Sequence, residues 1–371
     1  MAPPDPGEFA VRPRRERWWL HVLLLLATFG TTTFVGIQLA AGFDPRLALV
    51  DPRSGLLGIT PTLVLAGLGY SVPLLLILLA HELGHYLACR HYRLDASPPF
   101  FLPFIPFVPL PGTFGAFIRV RAPIRDKKAL FDMAVAGPIA GFVVALPFAA
   151  YGIVHTRLNF EPLSDGTIFF GYPLVIRLLQ LAFAGHTFSS AHVVEHPAFM
   201  AAWWGFFVTA LNLIPAGQLD GGHTLYAVFG RRHRLFRWPV LAALVGLGFF
   251  YTGWWVWAGI VLVLTGLRHP TVLDEDTPLD PFRKKVAAGV LLIAVLSFVP
   301  VPIRDSGDLP SFRPPREGGG TVVHQLDLHR GPEAPRRHRD PGGPKDREVA
   351  PEERSRLVGA RGPLEAGPPP A

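Results

Sequence analysis

Leu74-Leu75-Leu76-Ile77-Leu78-Leu79-Ala80-His81-Glu82-Leu83-Gly84-His85 is an unbroken apolar run that ends in three ionisable side chains. On a helix, His81 and His85 stand at i and i+4 and share one face, with Glu82 beside them. A charged residue at the centre of a bilayer costs about 2.5 to 3.5 kcal/mol on insertion scales, so three titratable groups in such a setting point to a function rather than to packing.

The rest of the chain says what kind of surroundings these groups have. The 371 residues are 50% hydrophobic and only 17% charged. Mean hydropathy is +0.32. Such a chain is expected to lie largely in a lipid bilayer, and several apolar runs approach the roughly 20 residues that a crossing needs. The net charge of +7 sits in clusters beside apolar segments, which reads as positive-inside patterning and argues against a nucleic-acid partner. Cys89 is the single cysteine, which excludes an intramolecular disulfide and a cysteine-based metal cluster.

Working outward along the chain, Arg12, Arg14, Arg15 and Arg17 precede a first apolar stretch from Trp18 to Ala41. Residues 1–17 are expected to be a cytoplasmic segment, and residues 18–303 a membrane-embedded domain. The second stretch, about Leu56 to Cys89, carries Pro73 near its midpoint and ends in Arg90, His91 and Arg93, which places His81 near the cytoplasmic side. Prolines 98, 99, 103, 106, 109 and 111 forbid a helix over Pro98–Val120. That segment is either a collapsed apolar linker or a re-entrant element whose Gly112–Val120 part forms a strand beside the site. Non-helical backbone at membrane depth needs protein or a wet cavity over it, which favours the strand.

Further spans are expected at about Ala129–Ile153, Pro197–Leu213, Trp238–Leu267, turned at Thr252-Gly253 into two crossings, and Val286–Val301. Gly171–Ala184 reads as an interfacial amphipathic helix. Residues 304–371 are rich in Pro, Gly, Arg and Glu and read as a disordered tail. The expected fold is therefore an all-α polytopic membrane protein of about six to seven transmembrane helices, with a small re-entrant β-strand or loop element near the active site.

Two histidines at this spacing suit one zinc ion, and a glutamate between them is placed to take a proton from water. A catalytic zinc wants a third protein ligand. His91 falls at the position of a third histidine in a longer soluble pattern, but Ala88 stands where that pattern needs a turn-making glycine. His186, His192, Glu195 and His196 form a second polar cluster, on the far side of the membrane by charge patterning. Asp220 follows an apolar span on the same side as His81, among Pro215, Gly217, Gly221 and Gly222, and is the strongest of the three candidates. His223 is a further ligand, a supporting donor or a plain helix residue.

His81-Glu82-Leu83-Gly84-His85, Ala136-Gly137-Pro138 and Asn212-Leu213-Ile214-Pro215-Ala216-Gly217-Gln218-Leu219-Asp220-Gly221-Gly222-His223, in that order, resemble the site-2 proteases, polytopic intramembrane zinc metalloproteases. The resemblance covers about residues 56 to 230. It implies one Zn2+ per chain held by His81, His85 and Asp220, Glu82 as general base and proton shuttle, and Asn212 near the substrate or the oxyanion. It implies transmembrane protein substrates, cut within the lipid bilayer in regulated intramembrane proteolysis. Gly112, Thr113, Phe114 and Gly115 are the expected docking strand for an unwound substrate. The absence of a transit-like N-terminus suggests a bacterial cytoplasmic membrane. The alternative is a non-proteolytic membrane zinc protein, a transporter or scaffold, for which Glu82 has no required role.

Overall fold

A computed structural model describes residues 16–47, 49–50, 57–106, 111–158, 168–266, 272–274 and 278–305. Most of the expected tail lies outside the described residues, as do residues 1–15 of the N-terminal segment.

Among the described residues the chain is built on α1 (Trp18–Phe43), α2 (Pro61–His91) and α3 (Lys127–His155), followed by α4 (Leu174–Ala184) and α5 (Pro197–Asn212). Four more helices complete it: α6 (Asp220–Phe229), α7 (Arg237–Gly248), α8 (Gly253–Gly266) and α9 (Pro281–Ser297). Their starts follow local chemistry. The Thr60 hydroxyl accepts from Leu63 N at 3.1 Å with Pro61 in the first turn of α2, and Asp126 accepts from Ala129 N at 2.8 Å to open α3.

α1, α2 and α3 are long and apolar enough to cross a membrane. The six to seven crossings expected from the sequence are not confirmed. α5 has 16 residues and α9 has 17, so at 1.5 Å per residue they reach about 24 and 26 Å, short of a hydrocarbon core of about 30 Å. α7 and α8, joined at the expected turn, are shorter still, with 12 and 14 residues. α5 is apolar because it is enclosed: Pro197 to Phe206 are buried in succession, with Phe199, Trp203 and Phe206 at the centre of the main core. α2, α3 and α5 pack against one another, and α1 lies along α2.

Among the described residues, four two-stranded antiparallel ladders decorate this bundle. β1 (Leu49–Val50) pairs with β2 (Leu57–Gly58), and β3 (Phe100–Pro103) pairs with β4 (Thr113–Phe117). β5 (Arg157–Leu158) pairs with β7 (Val193–Val194), while β6 (Ile168–Phe170) pairs with β8 (Ile303–Asp305). The β6–β8 register sets Arg304 opposite Phe169, so the first residues assigned to the tail belong to the folded unit. β4 is the strand expected within Gly112–Val120. Its hairpin is tied to α1 by Thr31 Oγ1 donating to Gly112 O at 2.7 Å and to α2 by Tyr70 Oη donating to Pro111 O at 3.1 Å.

At the opposite end of the bundle, Tyr172 Oη donates to Glu195 Oε1 at 2.7 Å, just before α5. Burial pushes the Glu195 carboxyl up to about 7 from 4.5, although the Tyr172 hydrogen bond opposes the shift. The folded protein thus holds this proton more tightly than the unfolded chain. The stabilisation is full below about pH 4.5 and is lost as pH rises through 7. Glu195→Gln, which keeps an acceptor for Tyr172, should raise the melting temperature by a few degrees at pH 8 and change it little at pH 4.5. A thermal-melt series in detergent across that range checks both ends.

Candidate metal centre

His81 and His85 project from the last third of α2, where Pro73 and the leucine-rich run have already buried the helix. Both imidazoles are buried, and Glu82 between them is only 6% exposed. Asp220 reaches the same point from the first turn of α6. Its Oδ2 lies 3.3 Å from His81 Nε2 and 3.3 Å from His85 Nε2, and the two Nε2 atoms are 3.1 Å apart.

Three lone-pair atoms converging at that spacing repel one another unless a cation sits among them. A tetrahedral zinc with ligand bonds of about 2.0–2.1 Å requires ligand atoms about 3.3 Å apart. The triangle fits that requirement, and its three residues line a cavity of about 260 Å³. These three residues are the group among the described residues whose donors could hold a metal ion.

The supporting contacts fix the histidines for this task. His85 Nδ1 donates to Met133 O of α3 at 2.7 Å, which leaves the Nε2 lone pair for a metal. α3 approaches closely because Gly137 lies over the His85 ring, which a Cβ at that position would overlap. Asn212, the last residue of α5, brings its side-chain amide to 3.3 Å from His81 Nε2. The cavity is also lined by Ala116, Phe117, Ile118 and Gln218. The Ile118 main chain lies beside the Glu82 carboxyl in the cavity wall, so the hairpin reaches the centre.

The residues expected at the site are only partly brought together. His81, Glu82, His85, Asp220 and Asn212 meet at one cavity, and His223 lines its wall. Gly112 and Thr113 instead hold the hairpin: Thr113 is buried and its Oγ1 donates to Leu102 O at 2.7 Å, while Gly115 N donates back to that hydroxyl. Phe114 is 69% exposed and packs edge-on against Phe104. The part of the strand nearest the centre is Ala116–Ile118, one alternation further on. His91 is exposed and meets the Tyr92 ring edge-on, and His196 caps α5, so neither is a ligand here. Met133 and Ile118 were missed because they act through main-chain atoms, which no side-chain pattern reports.

Residues 69–251 match the model of peptidase family M50. The probable zinc metalloprotease EGY1, chloroplastic, of Arabidopsis thaliana is 29% identical over 76% of this chain and 54% of that relative. EGY2 of the same plant, also named a probable chloroplastic zinc metalloprotease, is 28% identical over 63% of this chain and 42% of the relative. The chain spans about half the length of these relatives. These matches make the chain similar to peptidase family M50, the site-2 protease family. The relatives are named as chloroplastic, so the expectation of a bacterial cytoplasmic membrane gains no support from them.

Gly137→Ala should push the His85 imidazole off the triangle and cut the zinc content of purified protein by about tenfold or more, the range seen when metal-supporting contacts are lost. Gly69→Ala, whose Cβ meets nothing within 4 Å, is the matched control and should retain full metal by elemental analysis.

Proposed function

We propose that this protein is an intramembrane zinc endopeptidase of peptidase family M50 that hydrolyses peptide bonds within or next to transmembrane segments of membrane-anchored proteins, in regulated intramembrane proteolysis. The observation that carries the reading is the equilateral spacing of His81 Nε2, His85 Nε2 and Asp220 Oδ2 with a buried carboxylate, Glu82, beside it.

His81, His85 and Asp220 would hold the zinc. Bound there, the metal supplies Lewis acidity, activating a water and polarising the scissile carbonyl. Glu82 accepts the water's proton and returns it to the departing amine, a role that fits a carboxylate facing the same cavity. The Asn212 amide, adjacent to His81, is placed to donate to the carbonyl oxygen as negative charge develops on it. A transporter or scaffold needs no carboxylate buried next to its first ligand, whereas a hydrolase needs a proton acceptor there.

Substrate presentation follows from the hairpin. A transmembrane helix keeps its carbonyls in internal hydrogen bonds, so it must unwind before it can be cut. β4 pairs with β3 along one edge only among the described residues, and the Ile118 main chain lies beside the Glu82 carboxyl. Ala116 lines the same cavity. A substrate strand laid along Ala116–Ile118 exchanges its helical hydrogen bonds for ladder bonds and arrives beside Glu82. Phe114 and Phe117, both exposed, flank this edge as apolar contacts.

Glu82→Gln should lower cleavage of a tagged single-span substrate by about 10²- to 10⁴-fold while leaving zinc content intact. Cleavage that persists in a zinc-loaded mutant would refute the mechanism. Ala116→Pro, which removes an edge N–H, should impair cleavage at unchanged zinc content; wild-type turnover would exclude strand docking there.

A further inference from the structure

Arg283 stands in the first turn of α9, outside the segment 69–251 that the family model matches. Its guanidinium grips Asp132 of α3 with two parallel bonds, Nε to Oδ1 at 2.8 Å and Nη2 to Oδ2 at 2.5 Å. Nη2 also donates to Tyr92 Oη at 3.1 Å, and Nη1 pairs with Asp280, the N-cap of α9. Tyr92 Oη donates in turn to Asp132 Oδ2 at 2.5 Å. The cluster is half-buried and every charged member has a partner.

Each partner adjoins a stretch that carries or supports a metal ligand. Tyr92 caps the C-terminus of α2, two turns past His85. Asp132 immediately precedes Met133, whose carbonyl accepts from His85 Nδ1. Behind Arg283, Val286, Ala287, Val290 and Ile293 of α9 pack in one cluster with Phe131 and Val135 of α3, Ala227 of α6 and Leu213 next to Asn212. α9 thus bridges the elements that carry His81, His85, Asp220 and Asn212, although it supplies nothing to the cavity itself.

We propose that Arg283, Asp132 and Tyr92 form a latch that sets the positions of α2, α3 and α6 relative to one another and so fixes the spacing of the three ligand atoms. They are positioning residues, and the inference rests on reading the His81–His85–Asp220 triangle as a metal centre. The geometry needs arginine: a lysine ammonium is a point charge and cannot make the planar two-pronged contact with Asp132 while also reaching Tyr92.

The test uses the full chain in detergent, with Zn2+ affinity measured by competition against a chromophoric chelator and the visible spectrum of the Co2+-loaded protein as a report on ligand geometry. Arg283→Lys and Tyr92→Phe should weaken Zn2+ binding by about tenfold and shift the Co2+ bands. Their melting temperatures in excess chelator should stay close to wild type. Arg283→Asp and Asp132→Arg should each lose more, and the double variant should recover part of that loss because the pair is restored in reverse. Unchanged affinity and spectrum in Arg283→Lys and Tyr92→Phe would overturn the latch, as would a fall in apo-protein melting temperature with metal affinity intact. Wild-type protein that takes up neither Zn2+ nor Co2+ would overturn the metal centre and the latch together.

Discussion

Three lone-pair atoms held 3.1–3.3 Å apart inside an apolar helical bundle are the constraint on which the rest of this structure depends. Nothing in a bundle of leucine, valine and phenylalanine favours that convergence, because each polar group would be better solvated in water. The arrangement persists only where neighbouring backbone over-determines it. The Met133 carbonyl fixes one imidazole, the absence of a side chain at Gly137 admits it, and the start of α6 aims the carboxylate. Side-chain packing in the main core, around Phe199, Trp203 and Phe206, keeps those backbones in place.

The hairpin answers the second demand, that an irregular backbone beside a membrane helix must have its polar groups met. Hydroxyls do much of this work. Thr31 donates to Gly112 O, Tyr70 to Pro111 O, and Thr113 to Leu102 O. The prolines of this stretch bring no N–H to satisfy, so β3 and β4, cut from a segment too apolar for an ordinary loop, can rest on α1 and α2 at small cost. What the prolines leave is a short strand with one edge committed to β3 and with Ala116 and Phe117 in the cavity wall.

Much of the helical layout was legible in the sequence because long apolar runs bounded by basic residues mark helices whether they face lipid or protein. That same property hid the number of crossings. Pro197–Asn212 is apolar throughout because it is enclosed by α2 and α3, and hydropathy reports burial without saying what does the burying. At the site, His81, Glu82, His85 and Asp220 were legible because their side chains are costly and their spacing is periodic. The strand within Gly112–Val120 was legible from its proline-bounded apolar sequence, but not which of its residues line the cavity: Ala116, Phe117 and Ile118 carry no chemical signal of that place. The Arg283 latch was invisible for a related reason: arginine before an apolar helix reads first as topology, and only the fold brings it to Asp132 and Tyr92.

The turn between α5 and α6 shows how closely the chain path is tied to the chemistry. Asn212 and Asp220 both come within 3.3 Å of His81 Nε2, yet they are eight residues apart. A continuous helix would separate them by about 12 Å along its axis, at 1.5 Å per residue, and only one could reach the centre. The chain must therefore leave the helix after Asn212 and fold back before Asp220. Pro215 cannot continue a helix that would need its N–H, and Gly217 adopts φ +59, a left-handed conformation that other residues enter at a cost. The fold-back also makes Asp220 the first residue of a new helix, where the N-terminal dipole favours a carboxylate. Pro215 and Gly217 touch no ligand atom, but without the break they create, α5 would deliver an amide to the site or α6 a carboxylate, and never both.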